Sequence, residues 1–272
     1  MSSQEWSRAV PWRQGSFVPN DQELGFASSS LLIVISHDCD CVNDPSQEPS
    51  IEIIQAALVD RLEGNYANAK HPRILHLPVT VDGIERCIEL RSTAKSTISK
   101  SLLAGKKPLD NVSLDGRKRK TLALWLASRY SRMTFPEALV DRMRPVESAF
   151  KKAAEAHPAV ILGIYVAFSP EGEIDVNQEP YEIDVVVVFD SSQVGASDAA
   201  KQIAGKIEAA FQKEYRKLDD GGESRWHLMD LRLCIAASDT EFTLHDLLRF
   251  SMYRLDHISL KQVPPTTVAP LG

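Results

Sequence analysis

Leu31-Leu-Ile-Val-Ile-Ser-His-Asp-Cys-Asp-Cys41 joins an apolar, β-branched run to a histidine, two aspartates and two cysteines. A short Leu/Ile/Val run bounded by polar residues reads as a buried strand. Residues just past such a strand are held by the sheet yet reach the loops, where binding and catalytic groups concentrate. If extension continues, side chains alternate, with His37, Cys39 and Cys41 on one side and Asp38 and Asp40 on the other. These residue types make the corner the first candidate for a functional site. The structural alternative is a hydrogen-bonded turn in which Asp38 and Asp40 cap main-chain amides.

Outward from this corner, Ile51–Val59 is a second strand-like run, and Arg73–Pro78 and Ile84–Leu90 are shorter strands around a Val81-Asp-Gly83 turn. From Thr121 the period lengthens: Leu122, Trp125, Leu126, Tyr130 and Met133 recur near helical spacing. Pro136–Met143 starts a second helix with proline in its first turn, and 146–156 a third. Ala159–Phe168 and Tyr181–Phe189 are strong strands around Ser169-Pro-Glu-Gly172, followed by an amphipathic helix over 198–218. A strand near Leu231–Ala236 leads to a helix whose Thr243-x-x-Asp246 resembles a capping box. The expected fold is mixed α/β (α+β): one domain over 31–262, with a central mixed sheet and a basic helical insertion at about 91–156. Residues 1–30 read as a loose arm anchored by Trp6, Trp12 and Phe17, and 263–272 as a disordered tail.

At 272 residues and 43% hydrophobic, the chain can bury a real core. No apolar stretch approaches membrane-spanning length. The N-terminus lacks the apolar core of a signal peptide, so a cytoplasmic protein with no membrane partner is expected. Cys39, Cys41, Cys87 and Cys234 are too few and scattered for a disulfide framework. The net charge of −6 is unevenly spread: residues 84–152 hold 16 Lys and Arg against 7 Asp and Glu, leaving −15 on the remainder. Such segregation points to a face for a polyanion on an acidic body; its alternative is solvated helix faces balanced by neighbouring acids.

Several chemistries can be weighed on these residues. His37-x-Cys39-x-Cys41 carries zinc-ligating types, but its single-residue spacing is shorter than zinc chelates use, and no metal is assigned. Asp38, Asp40 and Glu52 suit a hard cation, as in a metal-dependent nuclease. A cysteine nucleophile needs a basic partner less local than His37. An N-glycosylase needs no cofactor. It needs a carboxylate to stabilise oxocarbenium-like charge, a pocket for an extruded base, and basic residues to hold the backbone. Arg117-Lys-Arg-Lys120 opens a helix that continues to Arg129 and Arg132, one turn apart and a candidate phosphate clamp. Trp125, at helical spacing with Leu122 and Leu126, reads as core before it reads as a stacking platform.

Three islands carry a resemblance: Ile35-Ser-His-Asp-Cys-Asp40, Leu124–Arg132 with Phe135-Pro-Glu137, and Phe242–Leu247 with Arg254-Leu-Asp256. In them the chain resembles bacterial proteins of phage-defence loci, and among these it looks most like antiphage DNA glycosylases acting on glucosylated hydroxymethylcytosine. Cys41 departs from the apolar residue expected there. The Ser-His-Asp loop after a strand is also similar to the Gln-Asp loop of uracil-DNA glycosylases. That likeness points to Asp38 as the water-activating carboxylate, whereas the defence-protein pattern emphasises Asp40. The resemblance implies a hydrolase that removes a modified base from double-stranded phage DNA. Asp40 or Asp38 would be catalytic, His37 and Ser36 would orient water or substrate, and Glu52, Lys118, Arg119, Arg129 and Arg132 would bind DNA. The alternatives are a metal-dependent nuclease and a non-catalytic nucleic-acid or protein-binding module.

Overall fold

The structure, a computed structural model, describes residues 6, 9–27, 29–128, 130, 135–175, 179–218 and 221–253. Arg129, Arg132, Arg254 and the segment 263–272 lie outside the described residues. Contacts divide the chain into two compact units, residues 1–62 with 71–130 and residues 63–70 with 131–272. The class is mixed α+β, as the sequence indicates, but the strands are divided among three sheets instead of forming one central sheet.

The first unit is built on one antiparallel sheet. Its strands are β1 (Phe17–Val18), β2 (Leu31–Val34), β3 (Ser50–Val59), β4 (Ile74–Val81), β5 (Ile84–Ser99) and β6 (Val112–Ser113), in the order β1-β2-β3-β5-β4-β6. Leu109 N–H donates to Phe17 O (2.9 Å), which draws the approach to β6 onto β1 and nearly closes the sheet. Asp82 (φ 49°) and Gly83 (φ 78°) make the two-residue turn between β4 and β5, the positive-φ geometry that matches hairpin twist. β5 runs through residues 91–99, where the helical insertion was expected to begin. Arg91-Ser-Thr-Ala-Lys-Ser-Thr-Ile-Ser99 has no apolar helical stripe, and its one large apolar residue, Ile98, is buried opposite Ile51. The N-terminal arm also joins the sheet: β1 pairs with Leu32 and Ile33, and Trp12 is buried in the core with Leu32, Val34 and Ile53. A two-residue strand is too short to show a period in sequence.

Among the described residues this unit carries the α-helices α1 (Asp38–Val42) and α2 (Gly116–Ala127). Asp115 caps α2 by accepting Lys118 N–H (2.8 Å). Trp125 is buried and its indole N–H donates to His71 O (3.0 Å), so it serves the core.

The second unit contains α3 (Glu137–Met143), α4 (Glu147–Glu155), β7 (Ile161–Ser169), β8 (Tyr181–Phe189) and α5 (Ala196–Tyr215). After these come β9 (Arg216–Leu218), β10 (Ser224–Trp226), β11 (Met229–Ser238), α6 (Leu244–Arg249) and β12 (Ser251–Met252). Its main sheet is mixed, in the order β11-β8-β7-β12 with β11 parallel to β8, while β9 and β10 form a separate hairpin. β8 explains the continuous valine run: Val185 and Val187 enter one core cluster, Val186 and Val188 the other. A strand buried on both faces needs no polar alternation. α5 bridges β8 and β11 and buries Ala200, Ile203, Ala204, Ile207 and Phe211 at helical spacing. Burying a side chain such as Phe211 stabilises the unit by about 1.5–3 kcal/mol.

Residues 63–70 lie between two strands of the first unit yet belong to the second. A Cβ on Gly64 would meet Glu155 O at 2.2 Å, so the backbones approach as only glycine permits. Asn68 (φ 53°) donates to Pro158 O and Ile161 O (both 3.1 Å). Lys70 is buried, with its ammonium on Ala154 O (3.1 Å), and desolvation lowers its pKa from 10.5 to about 7.

This shift sets a sign. Below pH 7 Lys70 is charged in both states and its burial penalty is fully present; between about 7 and 10.5 only the unfolded chain binds the proton, so stability rises with pH. The buried thiols oppose this trend only above their ordinary value of 9.0. Denaturant titrations between about pH 7 and 9 should show the wild type gaining up to about 1.4 kcal/mol per pH unit. Lys70→Met should remove that slope, and equal slopes in the two proteins would overturn the assignment.

Candidate functional site

Where β2 ends, Ile35 N–H and Ser36 N–H both donate to Glu52 O (2.9 and 3.3 Å). Glu52 N–H returns a bond to Ser36 Oγ (2.8 Å). Ser36 is buried, so its hydroxyl oxygen finishes the sheet edge. His37 then turns the chain with φ −63° and ψ 152°, and its Nδ1 accepts Cys39 N–H (3.3 Å) as the N-cap of α1. The accepting Nδ1 puts the ring proton of a neutral His37 on Nε2, where it is a donor on an exposed side chain.

The corner is therefore helical, and the expected alternation of side chains does not occur. His37, Asp38, Cys39 and Asp40 are exposed, while Cys41, four residues after His37, is fully buried among Trp12, Leu32 and Ile51. The physical reasons are local and distant. Asp38 and Asp40 lie in the first turn, where the helix dipole favours negative charge. The last carbonyls of α1 are taken by groups from elsewhere in the unit. Lys100 Nζ donates to Asp40 O (2.7 Å) and Asn43 O (2.9 Å), and Trp6 Nε1 to Cys41 O (3.0 Å). Buried in this way, Cys41 acts as a small hydrophobe. Burial and the nearby Asp38 charge push its thiol up to about 11.

Asp38 is the oriented carboxylate. Its Oδ1 accepts the main-chain N–H of Gln14 (2.7 Å), and the Gln14 side chain donates to Ile35 O (2.9 Å). Gly15 follows with φ 87° and donates to Val34 O (2.8 Å). A Cβ there would lie 2.9 Å from Arg119 Cγ, so the stem of Arg119 packs directly on Gly15. Asp38 and Arg119, 81 residues apart in sequence, thus meet the same Gln14-Gly15 turn. The Asp40 carboxylate is exposed and has no hydrogen-bond partner among the described residues. Glu52 projects on the exposed side of β3, between buried Ile51 and Ile53 and opposite Thr97. Lys118 is engaged, with Asp115 at 3.4 Å and Glu85 at 3.6 Å. Arg119 and Lys120 are exposed and have no ion-pair partner among the described residues. Arg129 and Arg132 fall outside them.

Among the described residues no three His, Cys, Asp or Glu side chains stand close enough to hold a metal ion. Asp38, Asp40 and Glu52 are thus not gathered into one three-ligand cluster. Nor is any described helix long and apolar enough to cross a membrane. The residues that sequence reasoning missed are Gln14, which orients Asp38, and Lys100, which anchors α1. Gln14-Gly15 carries a turn signal, but nothing local reveals that its amide serves a carboxylate 24 residues away. Compared with protein-family models, curated proteins and solved structures, the chain has no match.

Burial of the cysteines gives a direct check of the corner. Cys39 is exposed, whereas Cys41 and Cys87 are raised to about 11 and Cys234 to about 12, all chiefly by desolvation. Thiol titration at neutral pH should count one fast-reacting thiol in the native protein and all four in denaturant. The fast signal should vanish in Cys39→Ser. A second fast signal that is lost in Cys41→Ser would contradict a helical corner with Cys41 inside.

Proposed function

We propose that this protein acts on DNA in the cytoplasm as a glycosylase, hydrolysing the N-glycosidic bond of a modified base in phage DNA. The observation that carries the reading is the shared turn: Gln14-Gly15 orients the Asp38 carboxylate and supports the stem of Arg119. One group suited to chemistry and one suited to holding phosphate are thereby fixed to the same short segment. In the reaction, water adds at C1′ of the sugar, the bond from C1′ to the base nitrogen breaks, and the base departs with that electron pair and takes up the proton that the water gives up. Positive charge develops on the sugar, and a fixed carboxylate stabilises it without reorganising. Asp38 Oδ1 is held by Gln14, which leaves Oδ2 for this task. Asp40 is the second candidate, and the His37 Nε2–H is a donor for water or substrate.

Exposure of the whole 37–40 segment suits a macromolecular substrate that brings its own enclosure. The basic contribution is narrower than the sequence count suggests. Lys118 is neutralised locally, so phosphate contact falls to Arg119 and Lys120 at the start of α2. A second reading, a binding module without chemistry, is favoured by one specific fact: the Asp38–Gln14 bond also serves as a fastener between two turns.

Incubating the protein with phage DNA carrying modified or unmodified bases, and assaying abasic sites, separates these readings. The expected result is base loss from modified DNA that persists in EDTA and falls at least about a hundredfold in Asp38→Asn, with thermal stability nearly unchanged. Full activity in both Asp38→Asn and Asp40→Asn would remove the corner from the mechanism. DNA binding without base loss would favour the module.

The electrostatic part has its own measurement. Joint replacement of Arg119 and Lys120 by alanine should weaken DNA binding for all sequences and shallow the log-affinity against log-salt slope by about two units. Lys118→Ala should change the slope less, because its charge is already paired. An unchanged slope in the double variant would reduce this turn to a solvated face.

A further inference from the structure

The second unit holds a cleft of about 270 Å³ that the reading above does not use. Its polar lining comes from Asp141 and Arg142 on α3, Glu214 at the end of α5, Lys217 on β9, and His227. Arg142 is only 8% exposed although it carries a permanent charge. Its guanidinium donates to two main-chain oxygens, Leu228 O and Asp175 O (both 3.0 Å), and stands over the Tyr181 ring at 5.3 Å. Those bonds satisfy two of the five N–H donors, and no carboxylate pairs with it among the described residues. A buried cation without a counter-ion is costly unless something anionic joins it.

The main chain beside that cation is held by further hydrogen bonds. Tyr215 OH donates to Arg142 O, which fixes the main chain of α3 against α5. Leu228 has φ 68° within the three-residue turn closed by Met229 N–H to His227 O (2.8 Å), and its carbonyl oxygen accepts both Tyr181 N–H (3.1 Å) and the Arg142 guanidinium (3.0 Å). Side-chain-bearing residues rarely adopt this conformation, and it is maintained where surrounding structure requires it. In the same lining, Glu214 is exposed and has no ion-pair partner among the described residues, whereas Asp141 is paired with Arg144 (2.9 Å).

We infer that this cleft binds a small amino carboxylate, of which a free α-amino acid is the simplest example. The carboxylate of the ligand pairs with Arg142, supported by Lys217, and its ammonium pairs with Glu214. Pro145, Ile174 and Leu228 line the space left for an apolar side chain. Two features select this class. A volume of about 270 Å³ lies below the usual range for drug-sized ligands. Glu214, which has no ion-pair partner among the described residues, repels a multiply charged anion such as phosphate but complements a ligand bearing one charge of each sign.

The test uses the full chain, with each common L-amino acid added singly at millimolar concentration in thermal-shift and calorimetric titrations. Inorganic phosphate is the competing probe. At least one amino acid should raise the melting temperature and bind one to one. Its deaminated acid and its decarboxylated amine should each bind about tenfold more weakly or worse, because each leaves a charged group of the cleft unpaired. Arg142→Lys should abolish binding, but Arg142 also braces the fold, so the exposed Glu214→Gln is the deciding variant. It should weaken the amino acid and leave the deaminated acid unaffected. Absence of binding by every amino acid, tighter binding of phosphate, or unchanged affinity in Glu214→Gln would each overturn the proposal.

Discussion

Lys100 takes an ammonium out of water to donate to Asp40 O and Asn43 O, and the arrangement of the corner depends on that choice. A five-residue helix satisfies little of its own hydrogen-bonding capacity, so its carbonyl end needs donors from elsewhere. Lys100 supplies two bonds and stacks over Trp6 at 5.5 Å, while Trp6 caps the carbonyl between them. Desolvation lowers the lysine pKa, and the charges of Glu48, Asp40 and Asp44 act to keep it protonated. With that end held, Cys41 stays in the core, and Asp38 is presented to Gln14 at the other end of the same turn and a half. An apolar residue at 100 would take this donor from both carbonyls and leave its own bulk in the same buried place.

Features fixed by neighbours in sequence are legible in it. Thr243 and Asp246 form the reciprocal capping box that their spacing announces. The valine run of β8, the Asp82-Gly83 turn and the apolar stripe of α5 declare themselves within a few residues. The site was legible as a location, a polar corner after a buried strand, but not as a geometry. His-x-Cys-x-Cys suggests period two, and only the burial of Cys41 beneath Trp12 and Ile51 shows the period to be helical. That burial depends on β3 and the N-terminal segment, which no window around residue 40 contains. The second half of β5 fails for a related reason: a Ser/Thr-rich strand with one inward isoleucine has almost no hydrophobic pattern to read.

Charge counts along the chain mislead in the same way. Of the cations between residues 84 and 152, Lys100 and Arg142 are buried on main-chain oxygens, and Lys106 is shared between Asp21 and Glu23. Arg91, Lys118 and Arg144 meet carboxylates of their own neighbourhoods. The segment is also divided between the two units, so its excess is not that of one face. A local charge balance bounds what a surface can attract, but it does not say how much is already spent inside the fold.

Because Gly64, Asn68 and Lys70 serve the second unit from within the chain of the first, neither unit corresponds to an uninterrupted stretch of gene. A fragment beginning at residue 131 would leave Ala154, Pro158 and Ile161 without the donors that close over their carbonyls. A fragment ending at residue 130 would carry an eight-residue loop whose glycine and lysine have nothing to pack on. Exchange of either half between genes therefore has to move two segments together.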